Sequence, residues 1–351
     1  MEYRTLGASD ITVSSVCLGT MTFGTQNTEE DGHGQLDFAV DRGINFIDTA
    51  ELYAVPPDAS TYGKTEEIIG TWFSSRKNRD SVILATKIAG KGPAYIRNGT
   101  NRIDGANIRA ALEDSLRRLQ TDYVDLYQFH WPNRGSYHFG QVWRYGGGKL
   151  EGEGTAEAVR DNFREVLQTV QSLQREGKIR QIGLSNETAW GTMQYLDVAK
   201  EFSLPRIVSI QNEYNLLDRL FEPDLAEVAL REQVGLLPWS PLATGLLTGK
   251  YANGARPVGA RWSVRTDANH RDTAQAHRAV EAYRELATET GYTLPELALG
   301  FVHRQPFVTS VIIGATTLSQ LEENIEACVT TLNDEALRGI GRLRREFPLA
   351  Y

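Results

Sequence analysis

Cysteine is nearly absent: Cys17 and Cys328 are the only two in 351 residues. They form no CxxC pair and no metal-type Cys/His spacing. That excludes a disulfide framework, gives no reason to expect a metal, and predicts a reducing compartment. Long apolar runs are missing too. None approaches the ~18 residues that a membrane-spanning helix needs. The opening MEYRTLGASDITVSS carries Glu2, Arg4 and Asp10 and lacks the apolar core of a signal peptide. Positive charge is in deficit, 37 Lys and Arg against 45 Asp and Glu, a formal net charge of -8. This balance argues against nucleic acid or an acidic membrane surface as partner. The expectation is a soluble cytoplasmic protein, and the charge balance says nothing about small ligands. The sequence carries no signal for oligomeric state. The dinucleotide fingerprint G-x-G-x-x-G is also missing. Gly245–Tyr251, GLLTGKY, resembles a P-loop but is one residue short and has Tyr251 where Ser or Thr should follow Lys250. No stretch has the composition of a domain linker, so residues 1–351 are expected to form a single domain.

What is present is an alternation. Tyr3–Leu6, a Gly-Ala-Ser-Asp turn and Ile11–Val13 read as a β-hairpin. Eight short apolar runs then follow in order: 16–19, 43–48, 82–87, 123–129, 179–184, 207–210, 235–239 and 308–313. Helical patterns separate them, among them 28–42, 65–73, 107–119, 156–174, 222–233 and 318–328, with 334–346 closing the chain. Residues 107–119 put Ile108, Ala111, Leu112, Ser115 and Leu119 on one face. Eight strand–helix units predict an α/β fold, a (β/α)8 TIM barrel capped by the N-terminal hairpin. Long loops follow the fourth strand (Trp131–Gly154) and the seventh (Ser240–His270). Inside a compact barrel such loops are usually functional.

In that fold the chemistry sits at the carboxyl ends of the strands. Those ends carry, in order, Gly19-Thr20-Met21, Asp48 with Tyr53, Lys87, His130, Ser185-Asn186, Gln211-Asn212, Trp239-Ser240 and Gly314-Ala315-Thr316-Thr317. Alone, Asp48 reads first as a helix or turn cap and His130 as a structural hydrogen-bonding residue. Together, Asp48, Tyr53, Lys87 and His130 end three successive strands that converge on one mouth. Tyrosine is a poor acid, with an ordinary pKa of about 10, and an adjacent Lys cation is expected to lower it. Asp48 would hold Lys87, and His130 would donate a hydrogen bond to a substrate carbonyl. The set makes a general acid for a developing alkoxide. It lacks a hydride donor, which implies a nicotinamide cofactor.

GINFIDTAELY, ATKIAG, DYVDLYQFHWP, GLSNET, IQNEYN, WSPLATGLLTGKY and IIGATTLSQLEENI together resemble the aldo-keto reductase superfamily, over nearly the whole chain and in order. Within it the chain is most similar to the bacterial Tas-type NADP(H)-dependent reductases, and more distantly to the β subunits of potassium channels. The resemblance implies that Asp48, Tyr53, Lys87 and His130 are the catalytic tetrad, with Tyr53 as proton donor. It implies that Gly19, Thr20, Met21 and Asp48 meet the nicotinamide-ribose end of NADP(H). Ser185, Asn186 and Gln211 would hold the carboxamide, and Trp239 would stack on the nicotinamide ring. Ser240, Pro241, Leu242, Gly245, Leu247 and Lys250 would cover the pyrophosphate. Ile313, Gly314 and Thr316 precede the last barrel helix, on which Gln320, Glu323 and Asn324 match adenosine contacts. Arg261, or Arg256, matches the group that takes a 2′-phosphate. The implied reaction is NADPH-dependent reduction of an aldehyde, ketone or sugar. Trp131, Tyr137, Phe139, Trp143 and Tyr145 of the fourth loop, the 54–62 loop and the 348–351 tail are candidates for the substrate wall. Two other readings stay open: a slow or non-catalytic NADP(H)-binding redox-sensing subunit, and a Schiff-base aldolase using Lys87.

Overall fold

The computed structural model describes residues 1–142, 154–264 and 270–351. Two strands, β1 (Tyr3–Thr5) and β2 (Thr12–Ser14), form the expected antiparallel hairpin. Gly7 opens its turn at φ 53°, and a Cβ there would stand 2.0 Å from the carbonyl oxygen of Val208. Only glycine fits that backbone. Leu6, Ile11 and Val13 bury themselves against Cys17, Phe46, Ala85, Leu126, Val208, Leu237 and Ile312. Those seven residues come from the barrel strands and their margins, so the hairpin plugs the barrel's floor.

The barrel then runs β3 (Val16–Gly19), α1 (Glu29–Asp41), β4 (Phe46–Asp48), α2 (Lys64–Arg76), β5 (Ile83–Ile88), α3 (Gly105–Leu119), β6 (Val124–Phe129), α4 (Ala156–Arg175), β7 (Ile179–Ser185) and α5 (Ala189–Glu201). It continues with β8 (Ile207–Gln211), α6 (Leu225–Glu232), β9 (Gly235–Leu236), α7 (Arg261–Val264), α8 (Ala274–Thr290), α9 (Leu294–His303), β10 (Val311–Ile313), α10 (Leu318–Cys328) and α11 (Asp334–Glu346). Strands β3 to β10 are all parallel, in the order β10-β3-β4-β5-β6-β7-β8-β9. Helix starts follow local chemistry. Thr28, Asp104, Thr155, Thr188, Thr273, Thr293, Thr317 and Asn333 each cap a helix with a side-chain oxygen. The predicted face of α3 is the buried one.

Three features depart from the simple strand reading. The seventh strand ends at Leu236 because Pro238 has no N–H to donate. Pairing resumes around it, with Leu237 N–H on Ile210 O at 2.8 Å and Trp239 N–H on Asn212 O at 3.1 Å. The chain ahead of β10 seals the last seam: Leu236 donates to Phe307 O at 2.9 Å and accepts from Thr309 N–H at 2.8 Å. Between β7 and β8 the register steps from Ile182–Ile207 to Gly183–Ser209, leaving Val208 as an extra residue. This bulge resets the alternation. Val208 packs on the floor, while Gln211, an odd number of residues later, still reaches Asp48 inside the barrel. The seventh loop is not bare either, since it carries α7. Among the described residues no helix is long and apolar enough to cross a membrane.

Because Gly7 combines a left-handed backbone with contact against Val208, Gly7→Ala is expected to destabilise the fold by about 2–3 kcal/mol. Urea denaturation reads this directly; an unchanged midpoint would mean the hairpin does not bear on the barrel floor.

Candidate active site

Lys87 leaves β5 with its whole side chain buried. Such an ammonium needs acceptors, and the neighbouring strand supplies them. Nζ donates to Asp48 Oδ2 at 2.6 Å and to the Thr49 carbonyl at 2.7 Å, and lies 3.4 Å from the Tyr53 hydroxyl. The other carboxylate oxygen of Asp48 accepts from Gln128 Nε2 at 3.0 Å and from Gln211 Nε2 at 2.8 Å. The stagger of the barrel makes this possible. Asp48 registers with Ala85, and Lys87, two residues on, registers with Gln128, so Asp48, Lys87 and Gln128 stack inside one wall.

Tyr53 stands over this layer, with the ring of His130 edge-on to it at 5.7 Å. The tyrosine departs from expectation. Burial pushes its phenol above the usual value, and Lys87 offsets this only in part because Asp48 opposes it. Tyr53 is therefore held as the protonated phenol. Burial, with the Lys87 charge, drives His130 well below the ordinary imidazole range, so this ring is neutral. Its Nδ1 is buried with no hydrogen-bond partner among the described residues. Burial acts against the Lys87 charge, but the charge of Asp48 and the contacts with Asp48 and Tyr53 raise its pKa overall. A lysine held so firmly as the cation is a poor Schiff-base nucleophile, which weighs against the aldolase reading.

The other candidates ring the mouth. Thr20 Oγ1 is spent on the Asp48 carbonyl at 2.8 Å. Gly19 registers with Asp48, and Met21 takes the Val55 N–H on its carbonyl at 2.8 Å. Ser185 Oγ donates to Gln211 O at 2.9 Å. Asn186, at φ 53°, donates to the His130 carbonyl at 2.9 Å and accepts the indole N–H of Trp239 at 3.2 Å. Gln211 spends its amide N–H groups on Asp48 and on Gln128 Oε1 at 3.1 Å, and its side-chain oxygen Oε1 makes no hydrogen bond among the described residues. The turn beginning at Ser240-Pro241-Leu242 has positive φ at Ser240, Ala243, Thr244 and Gly245. A Cβ on Gly245 would stand 2.7 Å from Lys250 Cε. Burial lowers the Lys250 ammonium pKa, and no carboxylate among the described residues pairs with it. Leu247 is wholly buried and its N–H is spent on Leu242 O, so its part is packing. Arg261 Nη1 lies 3.9 Å from Met21 Sδ. Arg256 is instead taken by Asp272 and lies over the Tyr251 and Trp262 rings.

At the end of β10 Ile313 is buried, and just beyond it Gly314 is exposed. Gln320 Oε1 accepts from both Thr316 N–H and Thr316 Oγ1 at 3.1 Å, and Asn324 Nδ2 donates to Gly314 O at 3.2 Å. Glu323 takes the Ser319 hydroxyl at 3.1 Å. Exposed Gly314, the positive-φ turn after Trp239 and the exposed Lys250 suit an anionic ligand with a flat group at Trp239.

Of the aromatic wall, Trp131 packs 4.8 Å from His130 and Phe139 stacks on Trp239 at 5.8 Å. Tyr137 stacks on His138 at 4.2 Å. Trp143 and Tyr145 lie outside the described residues. The tail packs on this rim. Tyr351 OH donates to Glu213 Oε1 at 2.8 Å, and Arg271 makes a buried ion pair with Glu213 while its guanidinium lies over Trp239. The sequence reading passed over Gln128, Glu51, Glu213 and Arg271. Gln128 had a signal, an amide on the same strand face as Leu126, two residues before His130. The others become visible only by burial.

The model of the Aldo/keto reductase family matches residues 15–344. Protein Tas of Escherichia coli strain K12 is 46% identical over 346 residues, covering 97% of this chain and 96% of that protein. An uncharacterized oxidoreductase, YrpG, of Bacillus subtilis strain 168 is 34% identical over 342 residues, 96% of this chain and 94% of its own. An aldo-keto reductase of Babesia bovis is 35% identical over 270 residues, covering 72% of this chain and 90% of that one.

Buried and half-buried imidazoles set an acid limit on the fold. Burial lowers His130 well below 6.5, His138 to about 3, and His270 and His303 to about 4. Each folded value lies below the unfolded one, so each contribution is full above about pH 6.5 and is lost as pH falls. Asp218 works the other way. Burial and the Glu213 charge raise it to about 7, so its contribution fades as pH rises from 3.8 through 7. Four imidazoles outweigh one carboxyl, and the thermal midpoint is expected to fall from pH 6.5 to pH 4. A midpoint that rises on acidification would contradict the neutral assignments.

Proposed function

This chain belongs to the aldo/keto reductase family, a family of oxidoreductases that use nicotinamide cofactors, and we propose that it transfers a hydride from NADPH to the carbonyl of an aldehyde, ketone or sugar. The observation that carries the reading is Lys87 Nζ at 2.6 Å from Asp48 and 3.4 Å from the Tyr53 hydroxyl, with His130 edge-on to Tyr53. Tyr53 is the general acid. Its half-buried phenol keeps the proton until an alkoxide forms on the substrate, then donates it. The phenolate left behind faces the Lys87 ammonium, which stabilises that charge where it appears. Asp48 holds Lys87 and keeps it charged. Neutral His130 offers an N–H to the carbonyl oxygen without competing as the acid.

Asn186, Ser185 and the free carbonyl oxygen of Gln211 would hold the carboxamide, and Trp239 the ring beside it. The 240–250 turn with Lys250 would cover the pyrophosphate. Gly314, Thr316 and the start of α10, with Arg261, would take the adenosine end and a 2′-phosphate, which favours NADPH over NADH. Trp131 and Phe139 offer flat apolar walls, which suits a bulky or planar carbonyl substrate.

The test is NADPH oxidation against a panel of aldehydes, ketones and sugars. Tyr53→Phe keeps the ring but removes the acid, and should lower kcat roughly 10²- to 10⁴-fold. Equal turnover in both proteins would remove Tyr53 from the chemistry. Titration of tryptophan fluorescence should show tighter binding of NADPH than of NADH, and binding of neither would overturn the cofactor assignment.

A further inference from the structure

Two residues before Tyr53, Glu51 is fully buried and has no part in the chemistry above. Its Oε1 accepts from the Ala89 N–H at 2.6 Å, just past the end of β5. Its Oε2 accepts from Arg97 Nη1 at 2.6 Å and from the Tyr62 hydroxyl at 2.8 Å. Arg97 Nη2 returns to the Ala89 carbonyl at 3.2 Å, which closes a ring through Glu51, Ala89 and Arg97. Arg97 sits at φ 43°, so the loop after β5 adopts a strained backbone to present it. Besides the Lys87 ammonium, which donates to the Thr49 carbonyl at 2.7 Å, two backbone bonds tie the Tyr53 turn to β5, Thr49 N–H on Ala85 O at 2.9 Å and Glu51 N–H on Lys87 O at 3.2 Å. The Tyr53–Lys87 contact, at 3.4 Å, has little slack.

We propose that Glu51 and Arg97 are positioning residues that clamp the Tyr53 turn onto the end of β5 and so keep the tyrosine hydroxyl within reach of Lys87. This rests on the reading of Tyr53 as the proton donor. An ion pair suits the task because a buried carboxylate that loses its partner is strongly disfavoured, so the two loops cannot separate cheaply.

Four variants separate positioning from folding. Glu51→Gln keeps an oxygen for the Ala89 N–H but removes the charge that holds Arg97. The double variant Glu51→Gln/Arg97→Met strands no charge and is expected to keep a near-native thermal midpoint. Arg97→Lys should restore part of what Arg97→Ala loses. In Glu51→Gln and in the double variant, kcat should fall roughly 10- to 100-fold, with NADPH affinity by fluorescence unchanged. Hydrogen–deuterium exchange on the ligand-free protein should quicken together in segments 49–62 and 88–100. Unchanged kcat, or a kcat loss without faster exchange in both segments, overturns the clamp. If Tyr53→Phe retains full turnover, the functional reading fails instead, and the exchange measurement still decides the clamp by itself.

Discussion

A lysine ammonium wholly removed from water cannot be left unpaired, and the mouth of this barrel is arranged around that constraint. Lys87 takes one oxygen of Asp48 and the Thr49 carbonyl. Asp48 then needs donors for its second oxygen, which Gln128 and Gln211 provide from two further strands. Gln211 faces inward only because of the bulge at Val208. Removing one partner of a buried ion pair typically costs about 3–5 kcal/mol, because the other charge is stranded. The pair therefore fixes β4 against β5 at the height where Tyr53 and His130 meet.

Desolvation then sorts the neighbours by type. Burial disfavours whichever form is charged, so it holds Tyr53 as the phenol and His130 as the neutral imidazole. One ion pair thus sits below two neutral proton-bearing groups. In the proposed reduction a proton would leave Tyr53 toward the substrate, and the charge left behind would land beside a cation already fixed in place. Little reorganisation is then needed at the moment of reaction.

The rim is built from loops that are far apart in sequence. Arg134 ties the fourth loop to Glu187 at 3.1 Å. Phe139 of that loop and Arg271 both lie against Trp239, and Arg271 also binds Glu213, which the Tyr351 hydroxyl reaches from the tail. Loops fixed at one end by buried polar bonds can change sequence at their tips without disturbing the layer beneath.

The sequence alone determined the element order, because its signals are local: apolar runs for strands, Thr and Asx caps for helices, and glycine at the hairpin turn. It also determined which ionisable groups end which strands, and hence Asp48, Tyr53, Lys87 and His130 as a set. Only the tertiary structure decided the direction of the Tyr53 shift. Proximity to Lys87 can be inferred from strand order, but the desolvation that outweighs it depends on what closes over the ring. Gln128 as a donor to Asp48, the spent amide of Gln211 and the Glu51–Arg97 pair were likewise decided there. Each depends on stagger, a one-residue bulge or burial, and none of these exists until β10 seals the barrel and the loops pack across its mouth.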